Sequence, residues 1–305
     1  MTTRAIGPFE VFLMVCLISF WGSSFVVVKV TLRSGLTPVM VATFRFLVAG
    51  AFFLAGLAFM KAANKHRQVI IPRRELPKLL ILALTGVTFF FIIQYTGIQM
   101  ASASIAAILV CLLSPILIGI MSARLFNERL LRRQMTGVGV AAVGTFMVIA
   151  GGTLGFQSSV SFLAGSLLLL LTPALWATYT LLGKRVMEKY SPFVVVAYVN
   201  ILGGLCLIPF SIAEGSIGRI LELNLGEWTA ILFLAFACSF VGYYIWFYVM
   251  NRVKAATASS FLFAEPLVTA LLATAFVGEE ISPLSAVGGL LTFVGVYFAT
   301  RGKSA

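Results

Sequence analysis

The chain has 305 residues, 60% of them hydrophobic and 10% charged, and a formal net charge of +12. A soluble domain carries about 25% charged residues to cover its surface, so most of this chain must face lipid and not water. Its Lys and Arg residues fall in short segments between long apolar runs, which makes them an orientation signal in a bilayer and argues against a nucleic-acid surface.

A helix needs about 20 apolar residues to cross a membrane, and ten runs qualify. The first, Phe9–Val30, is too long for the apolar core of a signal peptide. It continues through Trp21 and Lys29 without a small-residue cleavage site, so a retained helix is expected. Lys29 is placed at its outer end, where it can snorkel. The second run, Pro38–Met60, carries Arg45 seven residues in, about 10 Å from its outer end at helical rise. A charge at that depth costs several kcal/mol unless paired or hydrated. Three roles are open to Arg45: to face a cavity and meet a substrate carboxylate or helix-end carbonyls, to clamp a neighbouring helix, or to snorkel outward.

The third and fourth runs are Leu76–Tyr95 and Ser102–Ala123, the latter with Pro115 inside it. The fifth, Gln134–Gly151, places Gly137, Ala141 and Thr145 four apart. The sixth, Phe162–Leu182, holds Pro173, Trp176 and Tyr179, and the seventh, Pro192–Ala213, holds Tyr198 and Asn200. The eighth is Trp228–Met250. The ninth, Thr257–Val277, holds Glu265 and Pro266, and the tenth, Pro283–Thr300, places Gly288 and Thr292 four apart. Small residues at this spacing let helices approach closely, so the fifth and tenth runs are expected to be packing elements and a homodimer contact. Pro115, Pro173 and Pro266 each remove a backbone hydrogen bond, so each is expected to kink its helix, as a gating point or as a purely structural bend. Trp21, Trp176, Tyr179 and Tyr198 lie deep enough for a cavity wall, with Asn200 as a polar contact. Tyr95 and Trp246 lie near run ends, where aromatic belts are ordinary.

Glu265 is the one carboxylate deep in a run, about eight residues or 12 Å from the nearer end. A Glu there is either protonated or meets a cation, because an unpaired charge in a dry site is expensive. It is expected to take a substrate ammonium or a coupling proton, the alternative being a neutral side chain bonded to a neighbouring helix.

With the N-terminus inside, 18 of the 22 Lys and Arg residues fall in inner segments, and the two outer-loop cations are Arg33 and Arg219. This asymmetry places both termini in the cytoplasm and requires an even number of crossings. The two halves also match. At an offset of 151 residues Phe89 meets Phe240, Ala107 meets Ala258, Pro115 meets Pro266, Glu128 meets Glu279, Gly137 meets Gly288 and Gly144 meets Gly295. At 155, Trp21 meets Trp176 and Lys29 meets Lys184. Five helices is an odd number, so the second half enters the membrane from the opposite side. The expected fold is an all-α integral membrane protein of ten helices in two inverted repeats, residues 1–152 and 153–305. Inverted repeats are characteristic of secondary transporters, because each half can adopt the other's conformation and so turn the cavity from one side to the other.

The segments SFWGSSFVVVKVTLRSGLTPVMVATFRFLVAG, ALWATYTLLGKRVMEKYSP, LSPILIGIMSARLFNERLLRRQMTGVGV and FAEPLVTALLATAFVGEEISPLSAVGGLL resemble EamA-type members of the drug/metabolite transporter superfamily, over nearly the whole chain. That resemblance implies a central cavity between the halves and export of small metabolites, commonly amino acids, from the plasma membrane; a member exporting drugs or other organic cations is the alternative within it. One departure stands out: Ser114–Pro115 in the first half answers Glu265–Pro266 in the second, so the two sides of the cavity are chemically unequal.

Other function classes find little support. The chain contains no aspartate, and its one histidine, His66, sits in a basic loop. Cys16, Cys111, Cys206 and Cys238 lie in apolar runs without metal-ligand spacing and read as small hydrophobes. No HExxH, GxSxG or GxxxxGK[ST] motif is present, so an intramembrane enzyme and an ATP-driven pump are disfavoured, while a channel remains an alternative. Neither cofactor nor metal is expected. The partners are a small-molecule substrate and the bilayer.

Overall fold

The computed structural model describes residues 5–63, 70–100, 103–125, 132–153, 160–277 and 283–300. His66, Arg129 and the matched pair Glu128 and Glu279 lie outside the described residues. Among the described residues every regular element is helical. In chain order the helices are α1 (Pro8–Arg33), α2 (Pro38–Ala62), α3 (Arg73–Met100), α4 (Ala103–Leu125) and α5 (Arg132–Thr153). Then come α6, in two segments (Val160–Leu169 and Thr172–Val186), α7 (Pro192–Ala213), α8 (Leu225–Met250), α9 (Ala255–Val277) and α10 (Pro283–Thr300). Among the described residues seven spans are long and apolar enough to cross a membrane, drawn from α1, α2, α3, α6, α7, α8 and α9; α4 and α10 contain shorter apolar stretches, Leu109–Ala123 and Ala286–Ala299.

Helix ends follow local chemistry. Pro38 and Pro192 open α2 and α7, where a missing N–H costs nothing. Thr37 caps α2 by accepting from the Met40 N–H at 3.2 Å. Asn224 and Glu227 cap α8 reciprocally, at 3.0 Å each way. Gly35, at φ 100, takes the left-handed turn between α1 and α2 that an L side chain resists.

Several spans depart from regular α-helix. α3 contains a π-helical stretch, Leu84–Thr88, and α8 contains another, Leu234–Val241. The 151-residue offset superimposes one on the other, so the repeat extends to an irregularity of the backbone. α6 breaks at Leu170–Leu171 because Pro173 can neither donate to the Leu169 carbonyl nor clear it; the Thr172 hydroxyl donates to that carbonyl instead, at 2.6 Å. Pro266 likewise begins a segment, Glu265–Val277, after a 3-10 turn over Ser260–Ala264. Pro115 lies inside α4, which runs from Ala103 to Leu125 without a break.

Packing is pairwise across the halves. α1 packs on α9 and α4 on α6; α1 touches α8 and α3 touches α6; α2 crosses α7; α5 lies along α10. Exchanging the first five helices for the second five maps this set of contacts onto itself. The α5–α10 contact is the tightest, because a Cβ on Gly137 would meet the Ala299 nitrogen at 2.4 Å and one on Gly144 the Thr292 nitrogen at 2.5 Å. Gly137 and Gly144 thus serve, as the sequence led us to expect, in packing α5 against α10.

Candidate functional site

Where the two halves meet, a part-open cavity with about 440 Å³ of empty space is lined by residues of seven helices. α1 contributes Trp21, Ser24 and Phe25; α2 contributes Arg45; α3 contributes Phe90, Phe91 and Gln94; and α4 contributes Val110 and Cys111. From the second half come Trp176 on α6, Tyr243 on α8, and Leu262 and Glu265 on α9. Two offset-matched pairs, Trp21 with Trp176 and Cys111 with Leu262, both line it, so the pseudosymmetry passes through the cavity.

Arg45 is buried. Its Nε–H donates to Ser239 Oγ on α8 at 2.7 Å, and an Nη1–H donates to the Tyr95 hydroxyl on α3 at 2.6 Å. The guanidinium lies 4.5 Å from the Phe91 ring centre and 5.2 Å from that of Phe46, inside cation–π range. Two neutral hydroxyls and two ring faces hold the group in place without cancelling its charge, and among the described residues no carboxylate pairs with it.

Glu265 is also buried, and its Oε2 accepts from the Cys111 thiol at 3.3 Å. Its helix is fixed against α1 by Thr269, whose hydroxyl reaches the Gly22 carbonyl at 2.9 Å and the Glu265 carbonyl at 3.1 Å. Gly22 makes this approach possible, since a Cβ there would sit 2.9 Å from the Glu265 carbonyl oxygen. No cation pairs with Glu265 among the described residues. Its counterpart Ser114 is buried with a hydroxyl that has no partner among them. α7, the counterpart of α2, has no charged residue at all. Among the lining residues the first half thus supplies one guanidinium, Arg45, and the second one carboxyl, Glu265.

Trp21 and Trp176 form part of its aromatic wall, with Trp246 packed behind them. Trp21 and Trp176 meet edge to face with ring centres 5.3 Å apart, Trp21 lies 5.6 Å from Trp246, and Trp176 lies 5.2 Å from Phe90. The Trp21 indole N–H is satisfied by the Cys238 carbonyl at 2.9 Å, in the π stretch of α8.

Of the residues singled out in the sequence, Arg45, Glu265, Trp21 and Trp176 line the cavity. Tyr179, Tyr198 and Asn200 do not. Tyr179 is buried behind Trp176, with ring centres 5.3 Å apart. Tyr198 is half-buried on α7. Asn200 is buried and donates to the Val196 carbonyl of its own helix at 2.9 Å. Tyr95 and Trp246, read as interfacial, are both interior. Lys184, the offset mate of Lys29, is buried and donates to the Val253 carbonyl at 3.3 Å. Cys111, read as a hydrophobe, is the partner of Glu265. Phe90, Phe91 and Gln94 escaped notice because a run of phenylalanines in a membrane helix does not reveal which face turns inward.

The sequence pattern of the EamA-like transporter family matches residues 8–150 and again 163–301. An uncharacterized transporter of Archaeoglobus fulgidus is 29% identical, covering 92% of this chain and 93% of that protein. A probable amino-acid metabolite efflux pump of Escherichia coli is 27% identical, covering 92% and 91%, and one of Salmonella typhimurium is 25% identical, covering 95% and 94%. A solved crystal structure shares the fold with a TM-score of 0.74 at 20% identity, covering 95% of this chain and 96% of that one.

Proposed function

The chain belongs to the EamA-like transporter family, and from that premise we propose that it is a secondary exporter of amino acids or related zwitterionic metabolites. It works by alternating access between two inverted five-helix repeats, residues 1–152 and 153–305, that cross the plasma membrane ten times with both termini in the cytoplasm. The observation that carries this reading is the pair of side chains of opposite character in the central cavity, the Arg45 guanidinium and the Glu265 carboxyl. A guanidinium from one half and a carboxyl from the other face a shared space and do not neutralise each other. An α-amino acid offers the complement, a carboxylate for Arg45 and an ammonium for Glu265, with Phe90, Phe91, Trp21 and Trp176 packing around an apolar side chain. Because the two groups belong to different halves, a bound zwitterion bridges the parts that must move. Its binding energy then favours the closed intermediate through which both states pass. The names of the Escherichia coli and Salmonella typhimurium relatives support the substrate class, and the matched contacts across the halves support the inverted repeat.

Titration of the purified protein with a neutral amino acid, its N-acetyl derivative and its decarboxylated amine tests the site. The free amino acid is expected to bind, and each derivative to bind at least ~10-fold more weakly, since each leaves one of the two buried groups without its partner. An amine that binds as well as its parent amino acid would remove Arg45 from recognition and turn the reading toward organic cations.

A further inference from the structure

A second cavity, with about 940 Å³ of empty space, opens between the start of α3 and the end of α6. We propose that it is a second site for the same zwitterions, an antechamber on the cytoplasmic route, and that Tyr179 bars the way from it to the central cavity. This rests on the central cavity being a zwitterion site.

The second cavity carries both signs of charge. Lys78, Arg185 and Lys189 line it together with Glu75 and Glu188, and Lys78 meets Glu75 at 2.6 Å. A simple anion would meet two carboxylates there and a simple cation three basic groups, whereas a zwitterion finds a partner for each end. Leu82 and Leu182 form part of its apolar wall.

The two cavities share the same pair of helices. Along α3, Leu82 in the outlying cavity and Phe90 in the central one are eight residues apart, about 12 Å of helix; along α6, Leu182 and Trp176 are six apart, about 9 Å. Tyr179 fills the interval. Its ring lies where a Cβ of Gly86 would be, 2.3 Å away, and Gly86 belongs to the π stretch of α3. On its other sides the ring meets Trp176, Tyr243 and Phe247, at 5.3, 5.9 and 5.0 Å between centres. The Tyr243 hydroxyl donates to the Gly86 carbonyl at 3.0 Å, but the buried Tyr179 hydroxyl has no partner among the described residues. Packing alone therefore holds this ring, and swinging it toward water satisfies its hydroxyl instead of breaking a bond. The equivalent corner of the other half is crossed by hydrogen bonds. There Ser34 donates to Glu227 at 2.8 Å and Thr37 to Glu214 at 2.6 Å. One corner is tied by hydrogen bonds while its counterpart holds a chamber, as expected if the two alternate.

Equilibrium binding of a radiolabelled neutral amino acid to the full chain counts the sites. Two per chain are expected in the wild type and one in the combined Glu188→Gln, Lys189→Gln variant, whose changes lie on exposed side chains. One site in both proteins overturns the antechamber and leaves the central reading intact; no binding in either overturns both. The bar is tested through Cys111, which lines the central cavity, with Cys16, Cys206 and Cys238 replaced by Ser. In Tyr179→Ala, a membrane-impermeant thiol reagent applied from the Lys189 side should modify Cys111 at least ~10-fold faster than in the Tyr179 background, while Tyr179→Phe stays slow. Unchanged access in Tyr179→Ala, with amino-acid binding retained as the check on folding, overturns the role of Tyr179.

Discussion

Arg45 sits at membrane depth with two of its five N–H groups hydrogen-bonded and no counter-charge among the described residues. Ser239 and Tyr95 take hydrogen bonds, and Phe91 and Phe46 present ring faces. A lysine keeps the charge but cannot stack as a plane and bond two hydroxyls at once. Arg45→Lys should therefore retain part of the transport rate, while Arg45→Ala should lose about 2–5 kcal/mol of substrate binding, ~30-fold or more. Transport per inserted molecule, measured beside protein level, decides the matter; an Arg45→Ala protein that is scarce but fully active per molecule makes this residue a structural clamp. At Glu265 the same logic runs with opposite sign. An ionised carboxylate holds an ammonium and a protonated one does not, so transport should fall as pH is lowered through its titration. Glu265→Gln should lose both the rate and that fall. A variant with unchanged rate and pH profile takes Glu265 out of the mechanism.

Among the helices, glycine position separates packing from lipid contact. A Cβ on Gly144 meets the Thr292 backbone at 2.5 Å, whereas one on Gly139 meets nothing within 4 Å. Gly144→Ala should force α5 from α10 and destabilise by about 1–3 kcal/mol. Gly139→Ala should be neutral or gain up to about 1 kcal/mol from helix propensity. Melting temperatures of the purified variants separate the two, and equal effects would contradict the close α5–α10 packing. The helix bounds were largely legible: Pro192–Ala213 and Pro283–Thr300 are the same in sequence and structure, because proline starts and polar ends are local signals. The break in α6 was legible only as the presence of Pro173, since the outcome depends on whether Thr172 can relieve the Leu169 carbonyl. The π stretches left no local signal. Within the site, charge at depth made Arg45 and Glu265 visible. Gln94, Cys111 and Phe90 were not, because hydrophobic periodicity is weak when lipid outside and protein inside are equally apolar.

At the scale of the molecule, two matched halves share the walls of the central cavity. Inverted insertion requires the Arg124–Arg133 loop inside and the Gly152–Ser161 and Gly278–Pro283 loops outside. Single cysteines in a cysteine-free background, labelled from each face, should report that arrangement; labelling of Arg129→Cys from outside alone would overturn the inverted repeat. The central claim is that a zwitterion crosses by bridging two halves that exchange conformations, and it is tested most directly by counterflow. Proteoliposomes preloaded with an unlabelled neutral amino acid are diluted into labelled amino acid, with no ATP present, and label uptake is followed for wild type and Arg45→Ala. Uptake is expected to saturate with concentration, to be accelerated by the internal load and to be lost in Arg45→Ala. Uptake that rises without saturation and ignores the internal load would contradict the claim.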